Sequence, residues 1–194
     1  MIQLSTQEVI AYYVQHRLAR EGFLWQYHIR YVFSEPEYIA MHKLKTHMKL
    51  VEDHFCKIFQ ELCDCIKISV GLASNLLTPI ADILYEDEIT WGRILTLLIF
   101  CGSLAVKYMR KDCPCIVFEL TEWAVTYIDG KLASWIIRNG GWSQLLEYLN
   151  LKTISPYFVL PSMMTSPQQK LNILSNSSQI TSFYRTSNII AVVL

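Results

Sequence analysis

Residues 94–106 form the longest near-continuous apolar run in the chain, interrupted only by Thr96, Gly102 and Ser103. The run falls short of the ~20 apolar residues that a membrane-spanning helix needs. It therefore reads as a helix buried inside a globular bundle, with a segment that enters a membrane under some condition as the alternative. A chain of 194 residues can bury such a helix in one domain, and 52% hydrophobic against 18% charged residues supplies the apolar cover. The formal net charge of zero argues against nucleic acid as the main partner, because phosphate binding needs a basic surface.

The flanking sequence reads as nearly all helix. Residues 6–20 place Val9, Ile10, Tyr13, Val14 and Leu18 at helical spacing, with Ser5 or Thr6 as N-cap and Gly22 as the stop. An aromatic connector over residues 23–33 leads to Ser34-Glu35-Pro36, and Pro36 suits the first turn of the next helix. From residue 37 to 65, Leu44, Met48, Val51, Phe55 and Phe59 make an amphipathic stripe. Residues 66–84 continue the helical pattern with a break expected near Thr78-Pro79.

After the apolar run, Lys111-Asp112-Cys113-Pro114 interrupts and residues 115–133 resume, so the two apolar helices form a central hairpin. Glu119 and Glu122, at i and i+3, read as the solvated side of the second helix. Gly140-Gly141 ends a short helix at Trp135, and residues 143–148 form another. Beyond Asn150, three prolines and many Ser, Thr, Asn and Gln predict a loosely ordered tail over residues 151–194, against a domain over residues 1–150.

Other chemistries find little support. The first residues lack the basic and apolar blocks of a secretory signal, so the six cysteines read as reduced thiols. Cys63-Asp64-Cys65 and Cys113-Pro114-Cys115 are spaced more tightly than structural zinc ligands, and His42, His47 and His54 do not share one tight face. No metal and no cofactor is expected. Neither G-x-S-x-G nor a phosphate-cradling glycine loop occurs, and an enzyme is not the expected reading.

Two runs carry the sharper signal: Glu88-Ile89-Thr90-Trp91-Gly92-Arg93-Ile94 and Trp135-Ile136-Ile137-Arg138-Asn139-Gly140-Gly141-Trp142. They resemble the first and second homology motifs of the Bcl-2 family of apoptosis regulators. Ser5 to Trp25, with Gly22-Phe23-Leu24-Trp25 at its end, resembles that family's fourth motif. Leu44, Met48, Val51, Asp53 and Phe55 resemble the third. The four occur in family order over residues 5–150.

The resemblance implies an all-α, Bcl-2-like bundle of about eight helices around a buried central hairpin, with a hydrophobic groove that receives the third-motif helix of a partner. Gly92 would let a ligand backbone approach, and Arg93 would offer a planar fork to the single aspartate such ligands carry. Met48, Val51, Phe55, Phe59, Leu84 and Leu97, with Thr90 and Trp91, would line the groove for anchors spaced i, i+3/i+4, i+7. Each buried anchor is worth ~1.5–3 kcal/mol before ordering costs. Trp91, Trp135 and Trp142 read as core or groove floor rather than direct contacts. Asp53 reads equally as a local bridge or a recognition acid.

Two positions depart from the family pattern. Thr90 stands where the family usually has asparagine, and it can cap a helix but cannot donate an amide hydrogen bond. Glu52 stands where a small residue normally precedes the aspartate, and a long charged side chain there opposes docking in another protein's groove. The chain is thus expected to receive partner helices rather than donate its own. The implied partners are pro-apoptotic Bcl-2 family proteins, and the implied role is inhibition of cell death. The alternative is an executioner whose hairpin permeabilises the mitochondrial outer membrane. The implied location is cytoplasmic, with association at that membrane or the endoplasmic reticulum; the closing apolar stretch over residues 189–194 is too short to span a bilayer.

Overall fold

A computed structural model of the chain describes residues 4–27 and 32–151. Among the described residues the elements are α1 (Thr6–Arg20), α2 (Glu35–Cys65), α3 (Ala73–Leu84), α4 (Trp91–Met109), α5 (Pro114–Tyr127), a π turn (Ile128–Leu132), α6 (Ala133–Arg138) and α7 (Gly141–Leu151). Phe55 leaves helical geometry at φ −109° and ψ 16°, so α2 is two helices joined at a kink. Counted that way, the all-α bundle has the eight helices implied above. The expectations for the tail beyond residue 151 and for the middle of the aromatic connector lie outside the described residues.

The ends of α1 follow from its sequence. Ser5 and Glu8 form a reciprocal capping box, the Glu8 N–H donating to Ser5 Oγ and the Ser5 N–H to the Glu8 carboxylate. Gly22 takes φ +83°, which lets its N–H reach the Ala19 carbonyl and the Phe23 N–H reach that of Leu18. Those two bonds make a Schellman stop. The apolar stripe between the caps, Val9, Ile10, Tyr13, Val14 and Leu18, is buried.

Helix α4 is the axis of the bundle. It packs against α1, α2 and α5, and every residue from 94 to 106 is buried except Thr96 and Ser103. Those two hydroxyls turn back into their own helix, Thr96 donating to the Gly92 carbonyl and Ser103 to that of Ile99. Gly102 marks the crossing with α1, where an added Cβ would stand 2.9 Å from Tyr13 Cε1 and 3.2 Å from Arg17 Cγ. By length and composition α4 could cross a membrane, yet 72% of its apolar window is buried by protein.

Several boundaries differ from the sequence pattern: residues 66–72, read as helical, form a connector before α3, and α7 is longer at both ends than the expected 143–148. Helix α3 runs unbroken through Pro79. The missing N–H costs one bond to Asn75, but α3 is held along α5, where the Trp123 indole donates to Thr78 Oγ1 at 3.0 Å. The segment read as one helix over residues 115–133 contains the π turn, which widens the helix before α6 without a loop. Apolar Ile128 and Leu132 stay buried through it, so the hydrophobic pattern carries no mark of the change.

Candidate functional site

The first motif forms the start of α4. Thr90 caps it, its hydroxyl accepting from the Arg93 N–H at 3.2 Å, so threonine serves the helix as expected. Gly92 is half-buried in the first turn. Arg93 differs from the open fork expected of it. Its residue is only 5% exposed, Nη1 donates to the Glu88 carbonyl at 2.7 Å, and Nη2 lies 3.7 Å from the Asp87 carboxylate. A guanidinium at the positive end of a helix dipole is disfavoured alone, and the acidic turn before α4 offsets that cost. Tyr85 adds a hydrogen bond to the Arg93 carbonyl, and burial first, then Tyr127, pushes its phenol well above the usual range.

The two runs that carry the resemblance meet through their tryptophans. Trp91 packs edge-on against Trp135 with ring centroids 5.0 Å apart, and lies 6.2 Å from Trp142. Trp91 and Trp142 are buried and Trp135 is half-buried. The Trp142 indole donates to Thr6 Oγ1, tying α7 to α1. The turn that permits this packing takes Gly140 to φ +87° and Gly141 to φ +69°, a region that favours glycine. Trp25, which closes the run read as resembling a fourth motif, is buried against Phe118 at 5.1 Å.

The residues expected to line a groove divide in two. Met48, Phe59, Leu84 and Leu97 are buried within the bundle, while Val51 and Phe55 are half-buried. Ile58 joins Val51 and Phe55 at i, i+4, i+7, giving α2 a partly covered apolar stripe around its kink. Helix α3 presents a second stripe of the same spacing, half-buried Leu76, Ile80 and Ile83. Helix α2 rests on α4 and α3 on α5, so both stripes are carried by the central hairpin.

The two adjacent acids of the run that resembles the third motif differ in burial. Asp53 is a surface residue, 58% exposed at its side chain and 3.5 Å from Arg20 Nη2, which fits the local bridge. Glu52 is buried. It accepts from the Tyr13 hydroxyl, lies 2.9 Å from Arg17 Nε and takes a bond from Arg20 Nη1 at 2.7 Å. Burial first, and then the Glu52 charge, pushes the Tyr13 phenol well up, so it stays a donor. The motif pattern around Asp53 gives no sign of this network, since its cations sit 32 and 35 residues upstream, on α1.

The acidic pair of α5 follows the sequence reading in part, with Glu122 exposed and Glu119 half-buried. Glu122 accepts from the Tyr27 hydroxyl, and Glu119 Oε1 from the Gly71 N–H at 2.5 Å, so neither is merely solvated. Among the described residues no three His, Cys, Asp or Glu side chains gather in a form that could hold a metal. The six cysteines are free thiols, and burial pushes Cys63 up to about 12.

Comparison with known proteins assigns this arrangement. Residues 44–142 match the family described as apoptosis regulator proteins, Bcl-2 family. Bcl-2-like protein 1 of Homo sapiens is 30% identical over 115 residues, which cover 57% of this chain and 49% of that protein. Apoptosis regulator R1 of Xenopus laevis is 28% identical over 121 residues, covering 60% and 53% respectively. The crystal structure of Trichoplax adhaerens trBcl-2L2 bound to trBak BH3 is similar with a TM-score of 0.66 and 26% identity, over 73% of this chain and 95% of that one. The chain spans about half the length of the curated relatives it matches. It belongs to the Bcl-2 family of apoptosis regulators.

Proposed function

We propose that this protein captures the amphipathic third-motif helix of pro-apoptotic Bcl-2 family proteins and thereby restrains cell death, acting by binding rather than catalysis. The observation that carries the reading is Arg93, a buried guanidinium in the first turn of α4 beside the Asp87 carboxylate, which is 44% exposed at its side chain and stands 3.7 Å away. That spacing is long for a charge-assisted hydrogen bond, and a ligand aspartate can take Asp87's place at a shorter distance. The apolar stripes of α2 and α3 supply walls for the ligand's anchors, with Gly92 leaving room beside the arginine. The likeness to trBcl-2L2, which holds a Bak BH3 helix, supports the same ligand class here.

Capture rather than donation is supported by Glu52, whose carboxylate is spent on α1. A second reading, an executioner that inserts its hairpin in the mitochondrial outer membrane, is favoured by one observation, the spanning length and apolarity of α4. Association with that membrane or the endoplasmic reticulum belongs to the proposal in either form.

Calorimetry with a synthetic Bak third-motif peptide tests capture. Arg93→Ala should weaken binding by roughly 10- to 150-fold, the worth of ~1.5–3 kcal/mol for a hydrogen bond to a charged group. An unchanged Kd, with helix content intact by circular dichroism, overturns the pairing.

A further inference from the structure

Four side chains of the α5 segment, each four residues after the last, reach the α3 segment. Glu119 Oε1 accepts from the Gly71 N–H at 2.5 Å, and the Trp123 indole donates to Thr78 Oγ1 at 3.0 Å. The Tyr127 hydroxyl donates to Asp82 Oδ1 at 2.9 Å, and Lys131 Nζ to the same oxygen at 2.5 Å. In a regular α-helix each four-residue step drifts ~40° around the axis. The π turn over Ile128–Leu132 slows that drift at the last step and keeps Lys131 over Asp82. Burial, followed by the Asp82 hydrogen bond, pushes the Tyr127 phenol up, so this rung keeps its proton.

The rungs grip one flank of α3. At ~100° per residue, Thr78 and Asp82 lie on one side of the buried face formed by Ala73, Leu77, Ala81 and Leu84. The half-buried stripe Leu76, Ile80 and Ile83 lies on the other side. Helix α3 spans 12 residues and carries Pro79, a combination too short and too interrupted to be stable by itself.

We propose that this ladder is a positioning device that holds α3 as a preformed wall, so that a captured helix meets Leu76, Ile80 and Ile83 already in place. The inference rests on the capture reading above. A wall ordered in advance spares the ligand the cost of ordering it, which lowers the rate at which the ligand leaves. Thr78, Trp123, Tyr127, Asp82 and Lys131 are thereby positioning residues that need not touch the ligand.

The test is the pair Thr78→Ala and Asp82→Ala, singly and together, in the full chain. Both changes lie on the α3 surface, remove three rungs and leave the α5 aromatics in the core. Alanine favours helix, and loss of a carboxylate near a helix C-terminus favours it further. A helix standing by itself would therefore become firmer. The ladder instead predicts that amide hydrogen exchange over residues 73–84 rises by about 10-fold or more in the double variant. Exchange in α1 should not move. The Bak third-motif peptide should dissociate about 10-fold faster in the same variant. Unchanged exchange in α3 overturns the ladder. Faster exchange with an unchanged dissociation rate overturns its role in ligand retention. A wild-type protein that binds no peptide, yet shows the exchange response, overturns the capture reading and leaves the clamp standing.

Discussion

At the scale of the residue, the largest surprise is which acid of the third motif the fold depends on. Glu52 is enclosed with Tyr13, Arg17 and Arg20, whereas Asp53 makes one long surface contact. Replacing one partner of an enclosed ion pair strands the others. Glu52→Gln should cost about 3 kcal/mol, the low end for a buried pair because both arginines keep some contact with water. Asp53→Asn should cost ~0.5 kcal/mol or less, as surface pairs do. Urea unfolding of both variants checks the contrast, and equal midpoints would remove the network from the account. The same scale shows why Glu52 was hard to read. Its position marks a departure from the motif, but the two cations that receive it lie on another helix, and neither spacing nor periodicity links them.

At the scale of the element, the α1–α2 contact carries a proton-sensitive group. Burial first, then the charges of Lys45, Arg20, His42 and Arg17, holds the His16 imidazole below its ordinary value. A histidine whose pKa is lowered by folding binds fewer protons native than unfolded. Its contribution to stability is therefore complete above the unfolded value of ~6.5 and is lost as pH falls through that range. Urea midpoints should decline between about pH 7.5 and pH 5.5, and the decline should flatten in His16→Gln. Parallel curves for the two proteins would exclude His16 as the source.

Helix boundaries were legible wherever the chain carries a local stop or start. Ser5 with Glu8, Gly22, Ser34 with Pro36, and Thr90 each act within four residues of where they stand. Pro79 misled because its local cost is overruled by packing on α5, a contact 45 residues away in the chain at Thr78 and Trp123. The π turn was hidden for the opposite reason, since its buried Ile128 and Leu132 preserve the helical pattern. The four-residue spacing of Glu119, Trp123, Tyr127 and Lys131 was present in the sequence, but nothing there pointed to α3 as its counterpart.

At the scale of the whole molecule, two functions compete for one hairpin. Helix α4 is apolar and long enough to leave water for lipid, and in this structure it is covered by α1, α2 and α5. The burial of residues 94–106 is what a capture protein must preserve and what an executioner must undo. Dye-loaded vesicles of mitochondrial lipid composition separate them. With the Bak third-motif peptide added, a capture protein leaves the vesicles sealed, and release of dye assigns the chain to the executioners. Arg93 is folded inward onto the Glu88 carbonyl and beside Asp87, so the proposed capture asks a ligand aspartate to displace Asp87 and leaves the hairpin where it is.

The indole cluster at the start of α4 has a bearing on that choice. Trp91 stands edge-on to Trp135 and near Trp142, so three chromophores from two distant stretches of chain are electronically close. Any extraction of the hairpin must first pull this trio apart, because its first member is the residue on which α4 begins. The near-ultraviolet spectrum therefore acts as a built-in seal on the bundle: while the coupled bands persist, the oily rod inside has not left its sheath.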